Sequence, residues 1–75
     1  MTKGEYRVGI SFNPGGNEMV NRIKRAAADL IDMVLEEIPD EPTEVIRLKA
    51  LAATHIEDAA MWAVKAVTKP KWKDQ

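Results

Sequence analysis

The chain has 75 residues, no cysteine, one histidine (His55) and a formal net charge of −1. One small domain is therefore expected. The lack of cysteine excludes a disulfide framework and a zinc–thiolate site, and a single histidine argues against a Ser-His-Asp triad. No apolar run approaches the roughly 20 residues of a membrane span, and the start lacks a signal-peptide core. We expect a soluble, intracellular protein without metal or cofactor, which gains its missing stability by self-association.

The near-zero charge conceals a segregated pattern. Residues 1–28 carry five basic and two acidic side chains, and residues 45–75 carry six basic and three acidic ones. The intervening residues 29–44 hold seven acids and no base. Both ends of the chain are therefore basic and its middle is acidic, which bears on possible partners more than the overall charge does.

Residues 1–16 are predicted to form an N-terminal arm. Residues 6–12 show some strand-like alternation, but Gly9 and the run Asn13-Pro14-Gly15-Gly16 interrupt it. We therefore interpret the arm as extended rather than as a stable strand.

A first long helix is predicted from Asn17, as N-cap, to Ile38, which precedes Pro39. Its apolar residues form two adjacent stripes at helical spacing, which is broad enough for burial against more than one partner helix. The first stripe comprises Val20, Ile23, Ala27, Leu30, Ile31, Val34 and Ile38, and the second comprises Met19, Ile23, Ala26, Leu30 and Met33.

A second helix is predicted after a polar, proline-marked turn at residues 39–43. Thr43 is its expected N-cap, and it should run to Val67 or Thr68, before Pro70. Its alanines permit close helix approach, and a short loop between two long helices predicts an antiparallel hairpin. The expected fold is all-α, with an arm (1–16), a helical hairpin (17–70) and a tail (71–75).

An antiparallel hairpin would place the start of the first helix beside the end of the second. The cations that would meet there are Arg22, Lys24, Arg25, Lys65, Lys69, Lys71 and Lys73, with Tyr6, Phe12 and Trp72 as nearby aromatics. Cations bind phosphates and aromatic rings stack on bases, so this end suits a nucleotide. Each of these charges also has an ordinary alternative role as a solvated or helix-stabilising residue.

The second helix resembles the conserved helix of a phage hairpin domain. Residues Arg47 to Ala63 follow that family's pattern, roughly R-x-x-x-L-A-x-T-x-[IL]-E-x-A-x-M-W-A. The Asn-x-Ile-Lys run from Asn21 to Lys24 and the aromatic with its Pro/Gly turn at residues 12–15 also fit. The family comprises phage anti-CBASS sponges, and the same hairpin occurs in sponges that oppose Thoeris defence.

The resemblance implies a function and a site. Such sponges are not enzymes; they form homohexamers that sequester cyclic oligonucleotide messengers between protomers, with an arm aromatic on a base and a first-helix lysine on a phosphate. Lys24 matches the lysine, and the aromatic is either Phe12 or Tyr6, with Asn21 and Arg25 nearby. A second, cyclic-trinucleotide site would use Lys65, Thr68, Lys69 and Pro70, although a lysine at position 65 lacks the bidentate fork of the arginine that relatives often carry there.

Two other classes of function compete with this interpretation. A helical hairpin that binds nucleic acid or a host protein is the main alternative, but the acidic middle segment would repel long DNA. A phosphodiesterase would need metal ligands or a general base near the phosphate, and the basic end offers none clearly. The sequence therefore favours a sponge for cyclic oligonucleotides in the host cytoplasm, with no membrane and no long nucleic acid as partner.

Overall fold

The computed structural model describes residues 1–70 and contains three helices: α1 (Lys3–Val8), α2 (Glu18–Glu37) and α3 (Thr43–Thr68). The helices α2 and α3 form the predicted hairpin, and α1 packs mainly against α2. The described part of the chain has no strand. The tail assigned to residues 71–75 lies outside the described residues.

The N-terminal arm is not extended, and that prediction is wrong for residues 3–8. Thr2 and Glu5 form a capping box, in which the Thr2 hydroxyl accepts from the Glu5 N–H and the Glu5 carboxylate accepts from the Thr2 N–H. The helix ends at Gly9, whose φ of 64° is left-handed and allows its N–H to close the last turn. A six-residue helix is unstable alone, so α1 depends on its contacts with α2.

Helix α2 begins as predicted, because the Asn17 side chain accepts a hydrogen bond from the Val20 N–H. It ends at Glu37, and Ile38 is already extended. The buried face of α2 is narrower than the two predicted apolar stripes. It contains Val20, Lys24, Ala28 and Ile31, so a lysine occupies a central core position.

The link to α3 differs in one detail from the prediction. Pro42, not Thr43, occupies the N-cap position, and no side chain caps this helix. The Pro42 carbonyl accepts from the Val45 N–H, and Thr43 is the first helical residue. Proline suits a helix start because its missing N–H would have no partner there. The helix ends at Thr68, as predicted.

The core of the single chain is thin. Its buried apolar residues are Val20, Ala28, Ile31, Ala53 and Ala60. Of the alanines predicted to permit close helix approach, Ala60 is buried, whereas the burial of Ala53 was not predicted. The molecule measures 52 × 23 × 13 Å, so its thinnest dimension is about one helix. Large apolar side chains therefore remain exposed on both long helices, among them Met19, Leu30, Met33, Leu48, Leu51, Met61 and Trp62. Of the helices in residues 1–70, none is both long enough and apolar enough to cross a membrane.

Candidate ligand-binding site

A cavity of about 460 Å³ lies where α1, the α1–α2 loop, the start of α2 and the second half of α3 meet. Its volume falls within the range typical of small-molecule sites. Tyr6, Phe12 and Lys24, three of the residues predicted to hold a ligand, all line it. The remaining lining residues are Arg7, Val8, Gly9, Glu57, Ala60, Met61 and Val64.

Lys24 is the most unusual side chain of this cavity, because it is charged and only 7% exposed. Its Nζ donates to the Gly9 carbonyl at 2.9 Å and also to the Phe12 carbonyl. The ammonium group has three donors, so one remains without a partner among residues 1–70. No carboxylate from this part of the chain pairs with it. The cavity therefore contains a buried ammonium group whose hydrogen-bond partners within residues 1–70 are two neutral carbonyls.

Two aromatic rings stand beside this charge. The Phe12 ring centroid is 5.5 Å from Lys24 Nζ, which is within cation–π range. Tyr6 and Phe12 are 77% and 74% exposed, although buried positions are commoner for rings of this size. Both rings line the same cavity, so the geometry does not distinguish between the two predicted aromatics.

The position of α1 depends on a close contact with α2. A Cβ at Gly4 would lie 2.2 Å from the Ala28 carbonyl oxygen, so only glycine fits there. The Gly4 N–H also donates to Asp32 Oδ1 at 2.7 Å. These two contacts hold the helix that carries Tyr6 and Gly9 into the cavity.

Arg7 and Glu57 line the cavity but were not among the predicted site residues. Arg7 Nε donates to Glu57 Oε1 at 2.8 Å, and its Nη2 lies 3.4 Å from the Thr54 hydroxyl. The pair ties α1 to α3 and neutralises one acid within the site. The capping box Thr2-x-x-Glu5 followed by Gly9 was the signal that could have revealed α1 and hence Arg7.

Other residues predicted at the basic end of α2 are engaged elsewhere. Arg25 bridges Glu5 and Asp29, each at 2.8 Å, and it does not line the cavity. Hydrogen bonds from Arg25 and, to a smaller extent, from the Thr2 N–H hold the pKa of Glu5 below its usual value. Hydrogen bonds to the Glu5 and Asp29 carboxylates raise the pKa of Arg25. Asn21 accepts from the Asn13 amide at 2.8 Å and stabilises the loop. Of the α2 cations expected at this end, Lys24 is therefore buried and Arg25 is paired, while Arg22 is exposed.

The residues predicted for a second site lie at the end of α3. Lys65 Nζ is 5.3 Å from the Trp62 ring centroid, and the Thr68 hydroxyl donates to the Val64 carbonyl at 2.9 Å. Neither Lys65, Thr68, Lys69 nor Pro70 lines the cavity around Lys24. Three further residues of the predicted basic end, Lys71, Trp72 and Lys73, lie outside the described residues.

The profile of the family described as Acb2/Tad1, hairpin domain, matches residues 4–68, which is most of the chain. The protein belongs to the Acb2/Tad1 hairpin-domain family. This match confirms the resemblance found in the sequence of α3. The family is one of phage anti-defence sponges, which are sequestering domains and not known enzymes. Comparison with curated proteins and with solved structures gave no match.

Proposed function

We propose that this protein is a phage sponge that binds cyclic oligonucleotide messengers, cyclic dinucleotides first, and keeps them from host CBASS effectors without cleaving them. The observation that carries the proposal is the buried ammonium group of Lys24, which has neutral partners only within residues 1–70. A buried charge is costly unless a counter-charge compensates it. A ligand phosphate would supply that counter-charge.

The rest of the cavity suits the remaining parts of a cyclic dinucleotide. The exposed rings of Tyr6 and Phe12 offer flat apolar surfaces, and a base stacked on such a ring contributes about 1–3 kcal/mol. A lysine beside an aromatic ring thus provides one contact for the phosphate and one for the base. Sequestration requires these contacts alone, and no bond of the ligand needs to break.

Self-association completes the proposal. The exposed apolar residues of α2 and α3 make a surface that a small protein rarely leaves in water. We propose that copies of the chain cover this surface in a homohexamer, as the family resemblance implies, and that ligands bind where protomers meet. The exposure of Tyr6, Phe12 and Met61 at the cavity mouth supports this arrangement.

A cyclic-trinucleotide site at Lys65, Thr68, Lys69 and Pro70 stays a prediction. The Lys65 ammonium stacked on Trp62 provides a cation at the end of α3, which is compatible with such a site. The proposed place of action is the cytoplasm of the infected host cell, where the messengers are produced.

The decisive experiment measures cyclic dinucleotide binding by calorimetry in the wild type and in Lys24→Gln. Glutamine can still donate to a loop carbonyl but carries no charge, so it separates the two roles of this side chain. We expect affinity to fall about tenfold or more, since a hydrogen bond to a charged group contributes about 1.5–3 kcal/mol. Unchanged affinity would show that Lys24 does not bind the phosphate.

A second measurement tests sequestration against cleavage. The ligand is incubated with the protein, released by heat and analysed by mass spectrometry. Recovery of the intact cyclic ligand is expected, whereas a linear product would identify a phosphodiesterase. The alternative function, a hairpin that inhibits a host factor or binds nucleic acid, predicts tight and steeply salt-dependent binding to duplex DNA or a stable complex with a host protein instead.

A further inference from the structure

Glu57 is the one carboxylate among the described residues that line the cavity. A carboxylate repels phosphates, so its place in a pocket for an anionic ligand needs a physical reason. Part of the reason is the ion pair with Arg7, whose Nε lies 2.8 Å from Glu57 Oε1. This pair leaves Lys24 as the uncompensated charge of the cavity walls.

The ion pair occupies only one carboxylate oxygen. Among residues 1–70, no donor forms a hydrogen bond with Glu57 Oε2. The Glu57 side chain is 42% exposed, so it is accessible to a ligand in the cavity that it lines. Arg7 is itself held a second time by the Thr54 hydroxyl, one turn earlier on α3, which fixes the orientation of the pair.

We infer that Glu57 is a specificity-determining residue, which accepts hydrogen bonds from the N1–H and 2-amino groups of a guanine base and so selects guanine-containing cyclic dinucleotides. This inference rests on the proposed function. An ionised carboxylate only accepts hydrogen bonds, and guanine presents two adjacent donors on its pairing edge. Adenine offers its amino group alone, and uracil offers a single ring N–H.

The distribution of groups in the cavity suits this division of tasks. Lys24, on α2, is positioned for a phosphate, while the neutralised Arg7–Glu57 pair bridges α1 and α3. Tyr6 and Phe12 line the same space. A base stacked on one of these rings would present its polar edge to the cavity wall, where the free oxygen of Glu57 is the acceptor.

The experiment compares three ligands that differ at this edge: cyclic di-GMP, its inosine analogue that lacks the 2-amino group, and cyclic di-AMP. Each is titrated against the wild type, Glu57→Gln and Asp58→Asn. Glutamine can keep an acceptor for Arg7, but its amide N–H₂ then faces the guanine donors. Asp58→Asn removes the same charge at an exposed neighbouring position outside the cavity, so it controls for general electrostatics.

We expect the wild type to prefer cyclic di-GMP over the inosine analogue by about fivefold or more, the effect of one well-placed base contact. In Glu57→Gln this preference should disappear, while cyclic di-AMP binds as it does to Asp58→Asn. Hexamer content, measured by light scattering, verifies that the variants are assembled as the wild type is.

Two results would overturn the inference. Equal loss of all three ligands in Glu57→Gln would show that Glu57 only anchors Arg7, and equal affinities in the wild type would show that no base edge is recognised. Both leave the proposed function intact. Failure of the wild type to bind any of the three ligands would reject the proposed function together with the inference.

Discussion

Two lysines are buried to the same degree at opposite ends of the hairpin, and their partners differ. Lys49, at the closed end, is 6% exposed and donates to Asp40 at 2.7 Å and to the Ile38 carbonyl. Lys24, at the open end, is 7% exposed and donates to two carbonyls. The chain neutralises the first charge by itself but leaves the second without a carboxylate partner among residues 1–70.

The difference assigns different roles to the same residue type. Lys49 fastens the α2–α3 loop, and the Asp40 carboxylate compensates its charge within the fold. Lys24 also orders a loop, but no carboxylate among residues 1–70 compensates its charge. We therefore propose a ligand-binding role for Lys24 and a structural role for Lys49.

The largest effect is expected for Lys49→Met. Methionine can fill the space but leaves the Ile38 carbonyl without its donor and breaks the pair with Asp40. We expect a loss of about 1–3 kcal/mol in the free energy of unfolding from the lost hydrogen bonds, because the remaining Asp40 carboxylate stays largely hydrated. Urea unfolding measures this, and cyclic dinucleotide affinity of the folded protein should not change. A loss of affinity equal to that of Lys24→Gln would remove the distinction between the two lysines.

The second largest effect is expected for Gly4→Ala, which changes the contact between α1 and α2 and does not touch Lys49. The added Cβ would collide with the Ala28 carbonyl, so α1 must shift from α2. We expect about 1–2 kcal/mol of destabilisation from overpacking and a clear loss of ligand binding, because α1 carries Tyr6 and the Gly9 carbonyl that holds Lys24.

Gly15→Ala is the matched control for that substitution. A Cβ at Gly15 meets no atom within 4 Å, so this variant should fold and bind as the wild type does. If Gly4→Ala also binds normally, the docking of α1 is not required for the site.

The long helices could be predicted from the sequence, whereas the environment of Lys24 could not. Asn17 as a cap and the stop before Pro70 are local signals, and the structure confirms both helix limits. Hydrophobic periodicity treats every lysine as polar, so it does not indicate that Lys24 is buried. Its burial depends on carbonyls that α1 and its loop bring from residues 9 and 12, which are tertiary contacts without a local signature.

Dependence on tertiary contacts also explains why local sequence patterns do not predict α1. Two glycines in or next to a six-residue segment argue against a helix on propensity alone. Here the contact with Ala28 requires Gly4, and the left-handed cap requires Gly9. Residues that disfavour an isolated helix are therefore the ones that allow this helix to dock.

A smaller effect should identify the ring that stacks on the base. Phe12→Leu and Tyr6→Leu each keep an apolar side chain but remove a flat surface. We expect the variant that lacks the stacking ring to lose about tenfold in cyclic dinucleotide affinity, within the range for base–aromatic stacking. Calorimetry on both variants distinguishes the rings, because the other one should bind nearly as the wild type does. Phe12 is the expected ring, since it lies over the Lys24 ammonium.

The smallest effect concerns pH and the exposed Glu5–Arg25 pair, which lies near Lys24 but does not line the cavity. Hydrogen bonds from Arg25 and from the Thr2 N–H lower the pKa of Glu5 in the folded state. The folded chain therefore binds this proton less readily than the unfolded chain, and the stabilisation is fully present above the ordinary Glu5 pKa of 4.5. It should be lost as the pH falls through the lower, folded-state pKa. Thermal unfolding between neutral and acidic pH should show a shallower acid decline for Glu5→Gln than for the wild type. An identical decline in both would mean that the capping box and Arg25 do not couple α1 to α2, and the position of α1 would then depend on Gly4, Asp32 and Arg7 alone.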